Sequence, residues 1–166
     1  MLIVFSGLPG TGKSAVADRV GRARGLPVLS VDPIESGILR AGIARSFETG
    51  LAAYIVAETL ADNCLSAGLD AVIDAVNSVE PAREMWRALA RKHDATLRII
   101  ECVVSETTVH AAQLALRDRG LALPEPTWED VNARKSEWTA WPEHHLTLDG
   151  LDPVDANVAA ALDYIA

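Results

Sequence analysis

The chain has 166 residues, 49% hydrophobic and 23% charged, which describes one globular domain and excludes a disordered chain. Fifteen Lys and Arg against 23 Asp and Glu leave a net charge of −8, which disfavours a general affinity for nucleic-acid backbones. Two cysteines, Cys64 and Cys102, give no disulfide framework, and no apolar run reaches the ~18 residues that span a bilayer.

Leu2-Ile-Val-Phe5 is a continuous apolar run, the signature of a buried parallel strand. Met1 to Phe5 lacks a basic flank and is too short for a signal core, so a cytoplasmic protein is expected. A helix from Ser14 to about Arg24 stops at Gly25 and Pro27. Val28 to Val31 reads as a second strand closing on Asp32-Pro33, and Ser46 to Ala67 as a long helix ended by Gly68. Asp70 to Asp74 is a third strand, Pro81 to Lys92 a helix, and Thr96 to Val104 a fourth strand. Thr107 to Arg117 is helical and runs into Gly120. Thr127 and Asp130 can cap a further helix reaching about Trp138. His145 to Leu148 is a last strand, and Val154, Val158, Leu162 and Ile165 stripe a final helix. Strands alternating with helices predict an α/β fold with a mainly parallel sheet.

Gly7-Leu-Pro-Gly-Thr-Gly-Lys-Ser14 fits G-x-x-x-x-G-K-[ST] at every fixed position, between a strand and a helix. Glycines free the backbone N–H groups to cradle oxyanions, and the helix N-terminus adds to the field. Gly7, Leu8, Pro9, Gly10, Thr11, Gly12, Lys13, Ser14 and Ala15 are therefore expected to hold the phosphates of a nucleoside triphosphate. Lys13 can reach the β- and γ-phosphates, and the Ser14 hydroxyl can ligate Mg²⁺. There is no Asn-Lys-x-Asp for guanine, and Asp18-Arg-Val-Gly21 lies inside the first helix, away from any γ-phosphate.

Beyond the loop, the chain resembles the small AAA-type P-loop kinases typified by chloramphenicol phosphotransferase, zeta toxins and the kinase domain of polynucleotide kinases. The likeness rests on Val31-Asp32-Pro-Ile-Glu35, Ala71-Val-Ile-Asp74-Ala-Val-Asn77 and Arg117-Asp-Arg119-Gly. Trp128-Glu-Asp-Val131 through Trp141-Pro142, with the strand to Asp149, extends it over most of the chain. The resemblance implies a five-stranded parallel sheet of order 2-3-1-4-5, helices on both faces and a small lid at about 117–128. It also implies ATP and Mg²⁺ as donor and metal, and adenine held near Asp149 to Pro153. Several relatives carry Arg three residues after the strand-two acid. Glu35 stands there in this chain and the next Arg is Arg40, which argues against a polynucleotide acceptor.

Open α/β sheets bind ligands at the carboxyl ends of their strands, which nominates Asp32 to orient or deprotonate an acceptor hydroxyl. Glu35 is a second candidate on the acceptor, and Asp74 suits either a metal-bound water or the acceptor. Asn77 and Arg83 are candidates for substrate binding, each with an alternative as a turn residue or a surface cation. Arg117 and Arg119 are expected to neutralise charge on the transferring phosphoryl group. The four histidines are read as surface or structural, Trp86 as core, and Trp128 or Trp138 as able to touch a planar substrate. The function expected is a kinase for a hydroxyl on a small molecule: an antibiotic, sugar, nucleoside or metabolite. A nucleotide or polynucleotide 5′-hydroxyl kinase and a non-catalytic ATP-binding regulator are the alternatives. No membrane contact is expected, and the sequence specifies no oligomeric state.

Overall fold

The computed structural model describes residues 1–136 and 138–166. In chain order the elements are β1 (Leu2–Ser6), α1 (Lys13–Arg24), β2 (Val28–Ser30), α2 (Val31–Arg40), α3 (Phe47–Ser66) and β3 (Ala71–Asp74). They continue with α4 (Glu80–Lys92), β4 (Leu97–Val103), α5 (Thr107–Ala115), α6 (Trp128–Ser136), β5 (His145–Asp149) and α7 (Val154–Tyr164). Glu137, inside the helix expected to reach Trp138, lies outside the described residues.

All five strands run parallel in the order β2-β3-β1-β4-β5, as the resemblance implied. β1 lies at the centre and is buried along its whole length. Its side chains alternate between faces and divide the core in two. Leu2 and Val4 pack with Ala53, Ala57 and Ala61 of α3 and with Trp86 and Leu89 of α4. Ile3 and Phe5 pack with Val16, Ala17 and Val20 of α1 and with Ala161 of α7. A third, smaller cluster joins Leu8, Leu114 and Val131, with Trp128 and Trp138 against it, and so ties the phosphate loop to α5 and α6.

One element departs from the sequence expectation. Strand two ends at Ser30, and Val31 begins a helix in place of the expected strand end at Asp32-Pro33. Pro33 does not prevent this, because the first-turn N–H it lacks has no partner inside a helix. Ile34 and Ile38, one turn apart, then pack against the α3 side of the core. The result puts Asp32 in the first turn of α2, still at the carboxyl edge of the sheet. Among the described residues no helix is long and apolar enough to cross a membrane.

Candidate active site

β1 leads directly into the glycine-rich loop. Gly10 and Gly12 have φ of 87° and 79°, a left-handed conformation that a β-carbon penalises. Gly12 caps α1, so Lys13 and Ser14 occupy a first turn whose N–H groups have no helical partners. The loop is braced from outside. Buried His110 on α5 lies 2.8 Å through Nε2 from the Pro9 carbonyl; a carbonyl only accepts, so Nε2 carries the proton. The His110 ring meets Trp128 of α6 edge-on at 5.2 Å. Thr11 donates its hydroxyl to the Leu8 carbonyl at 2.9 Å. A β-carbon on Gly150 would sit 2.8 Å from the Thr11 carbonyl, so the turn after β5 also closes on this loop.

Lys13 Nζ donates to Asp74 Oδ1 at 2.7 Å, and both side chains are almost wholly buried. Asp74 is the last residue of β3, in register with Ser30 on β2, whose hydroxyl donates to Asp74 Oδ2 at 3.0 Å. Burial alone pushes the Asp74 carboxyl up. The Lys13 ammonium and donors from Lys13, Ser14 and Ser30 outweigh it and hold the group below the ordinary carboxylate range.

Asp32 stands in the first turn of α2, its side chain about one-third exposed. Arg119 donates to Asp32 Oδ2 at 2.6 Å, and an Arg117 nitrogen lies 3.5 Å from the same oxygen. Arg117 also donates to Glu125 Oε2 at 2.6 Å, while the Arg119 N–H donates to Glu125 Oε1 at 3.2 Å. The Ala122 N–H donates to Ser36 Oγ of α2 at 2.9 Å. The segment between α5 and α6 therefore folds over α2, bringing both arginines to the strand-end acid. Glu125, Ser36 and Ser30 are parts of this arrangement that sequence reasoning missed. Their partners lie 6 to 86 positions away, and no local pattern marks them.

Glu35 accepts from the Thr49 hydroxyl at 2.9 Å, which joins α2 to the first turn of α3. Tyr54, also missed, accepts the Asn77 N–H at its hydroxyl. Burial pushes the phenol up to about 12, with the charges of Asp32 and Asp74 adding to the shift, so it stays protonated.

Asn77 and Arg83 do not line an open acceptor site; both are fully buried. The Asn77 amide donates to the Phe5 and Ala75 carbonyls and accepts from Trp86 Nε1 at 2.8 Å. Arg83 donates to the carbonyls of Asn77 and Thr139 at 2.9 and 2.8 Å. Its guanidinium packs between Trp138 and Trp141, 5.3 and 4.6 Å from the ring centroids. The hydrogen bonds of both side chains run to other parts of the chain. Burial was not legible from their position after the third strand. Trp138 is likewise tied down, donating to Glu101 Oε1 at 2.7 Å.

Against proteins of known structure, the chain is similar to a presumed kinase of Chloroflexus aurantiacus j-10-fl, with a TM-score of 0.78 and 21% identity over 99% of this chain and 94% of that one. It is similar to a gluconokinase of Sinorhizobium meliloti 1021, with a TM-score of 0.70 and 18% identity over 98% and 90%. It is also similar to the APS kinase CysC of Mycobacterium tuberculosis, solved with AMPPNP and APS, with a TM-score of 0.69 and 20% identity over 99% and 96%. At these identities the likeness shows a shared fold, that of small P-loop kinases. A comparison with curated proteins finds no match. A family model described as an AAA domain, AAA_33, matches residues 2–137, so the chain belongs to the AAA_33 family.

Proposed function

We propose that this protein transfers the γ-phosphoryl group of ATP to a hydroxyl of a small molecule. The observation that carries the reading is the convergence of three parts at one edge of the sheet. These are the phosphate loop with Lys13, the Lys13–Asp74 pair, and Asp32 in contact with Arg117 and Arg119. Similar structures described as kinases, one of them holding AMPPNP, support the same class.

The loop N–H groups and Lys13 bind the β- and γ-phosphates and draw charge toward the leaving oxygen. Arg117 and Arg119 offset the charge on the phosphoryl group in flight. Asp32 orients the acceptor hydroxyl and takes its proton as the oxygen–phosphorus bond forms and ADP departs. Mg²⁺ needs only one or two protein groups beside substrate phosphates. The Ser14 hydroxyl and the ionised Asp74 carboxylate fit that demand, and the ion would neutralise phosphate charge. Asp32 and Glu35 on the acceptor side, with the net charge of −8, oppose a polynucleotide acceptor.

The test has two arms. ATP with Mg²⁺ should raise the melting temperature more than either alone, by mass action worth about 2.7 kcal/mol at a hundredfold excess over Kd. ADP formation should then rise when sugars, sugar acids, nucleosides or hydroxylated antibiotics are added one at a time. No shift with any nucleotide rejects the donor site. A shift with hydrolysis that no hydroxyl compound stimulates rejects the transfer.

A further inference from the structure

Within the phosphate loop, Leu8-Pro9-Gly10-Thr11 forms a tight turn. The Thr11 N–H reaches the Leu8 carbonyl at 3.4 Å, and Gly10 has φ of 87°. Pro then Gly at the two central positions, with a positive φ at the second, describes a type II turn. The type I alternative differs by turning over the central peptide, the one that joins Pro9 to Gly10. Proline fixes only φ, and glycine tolerates φ of either sign, so these two residues leave both forms open. The choice between them falls to whatever holds the central peptide from outside.

That hold comes from α5. His110 is 2% exposed, and its Nε2–H donates to the Pro9 carbonyl at 2.8 Å. A β-carbon on Gly10 would lie 3.2 and 3.3 Å from His110 Cδ2 and Nε2, and 3.4 Å from Leu114 Cβ, so the helix sits close against the turn. Leu114 packs with Leu8, and Trp128 of α6 meets the imidazole edge-on, which keeps the ring in place. In a trans peptide the C=O and the next N–H point opposite ways. A Pro9 carbonyl held toward α5 therefore turns the Gly10 N–H away from that helix. Among the described residues no backbone carbonyl takes this N–H.

We propose that His110 is a positioning residue of the phosphate loop: by holding the Pro9 carbonyl outward, it keeps the Gly10 N–H turned into the loop as a donor to the β- and γ-phosphates. This role rests on the reading of the loop as the ATP site and adds a side chain from α5 to it. Without the imidazole donor the central peptide is free to turn over. A carbonyl oxygen, which only accepts, then faces phosphate oxygens in place of the N–H. The same helix ends two residues before Arg117, so α5 both fixes the loop and starts the segment that carries the two arginines.

Displacement of a fluorescent ATP analogue by ADP and by AMP tests the role in the full chain, with Mg²⁺ and no acceptor. H110L should raise the Kd for ADP by about tenfold or more, as expected when a buried carbonyl loses its donor. AMP lacks the β-phosphate, so its Kd should stay within about twofold of wild type. A glutamine amide reaches the place of the imidazole Nε2, whereas asparagine is one carbon shorter. H110Q should therefore bind ADP within about threefold of wild type, and H110N should behave as H110L. Circular dichroism identifies the folded variants, and if H110L does not fold, the comparison of H110Q with H110N decides. An unchanged ADP Kd in folded H110L overturns the proposal. So does an equal loss for ADP and AMP, or an H110Q that binds ADP no better than H110N. The selective loss of ADP affinity upholds it even in a protein that transfers phosphate to no hydroxyl, which rejects the kinase reading alone. A wild type that binds no ADP overturns both.

Discussion

Lys13 and Asp74 hold each other in a place where neither ion would sit alone. Their side chains are 8% and 4% exposed, so removing one leaves a buried charge without a partner. Breaking such a pair typically costs about 3–5 kcal/mol. Lys13→Ala should therefore abolish turnover and also lower the urea midpoint, whereas Lys13→Ala with Asp74→Asn should be equally inactive yet recover much of the stability. Equal stability of the two variants in urea titrations would dismiss the coupling. The pH dependence has a definite sign. The folded Asp74 carboxyl is held below its ordinary value, so its contribution is present above about pH 4 and is lost as pH falls through the folded value. The double variant should accordingly lose stability less steeply below pH 4 than wild type. Arg83 gives the contrasting case. Arg83→Met strips donors from the buried carbonyls of Asn77 and Thr139, at about 1–3 kcal/mol for each group left unsatisfied. Calorimetry should show a lower melting temperature, with an unchanged KM for the acceptor in the folded fraction. A raised KM at unchanged stability would return Arg83 to the substrate.

At the level of elements, the segment between α5 and α6 is held by Asp32, Glu125 and Ser36. Arg117→Ala and Arg119→Ala should each lower kcat by at least tenfold and change ADP affinity little, because ADP lacks the γ-phosphoryl charge they are proposed to meet. Rapid-quench rates and calorimetric ADP titrations make the comparison; normal kcat in the double variant would reduce both to structural ties. Elements also show which parts were readable in the sequence. The phosphate loop and the strands were, because a turn, an apolar run and a helix start are all written in neighbouring residues. α2 was not, because Asp32-Pro33 is as good an end to a strand as a start to a helix, and Ile34 and Ile38 decide it only by meeting α3. The burial of Asn77 and Arg83 was hidden for the same reason. Their burial depends on Trp86, Trp138 and Trp141, which meet them from 9 to 58 positions away.

For the molecule as a whole, the sheet gathers the groups proposed to serve donor and acceptor from four separate stretches of chain at one edge. Lys13 and Ser14 follow β1, Asp32 follows β2, Asp74 ends β3, and the arginines arrive from the segment after α5. The decisive measurement follows the label from γ-³²P-ATP, with wild type and Asp32→Asn, across sugars, sugar acids, nucleosides and hydroxylated antibiotics. Wild type should place the label on the hydroxyl of at least one compound. Asp32→Asn should slow that transfer by about 10²–10⁴-fold, the usual worth of general acid–base assistance, and leave the Kd for ATP within about threefold. Label appearing only in inorganic phosphate, or transfer by Asp32→Asn within about threefold of wild type, would contradict the account.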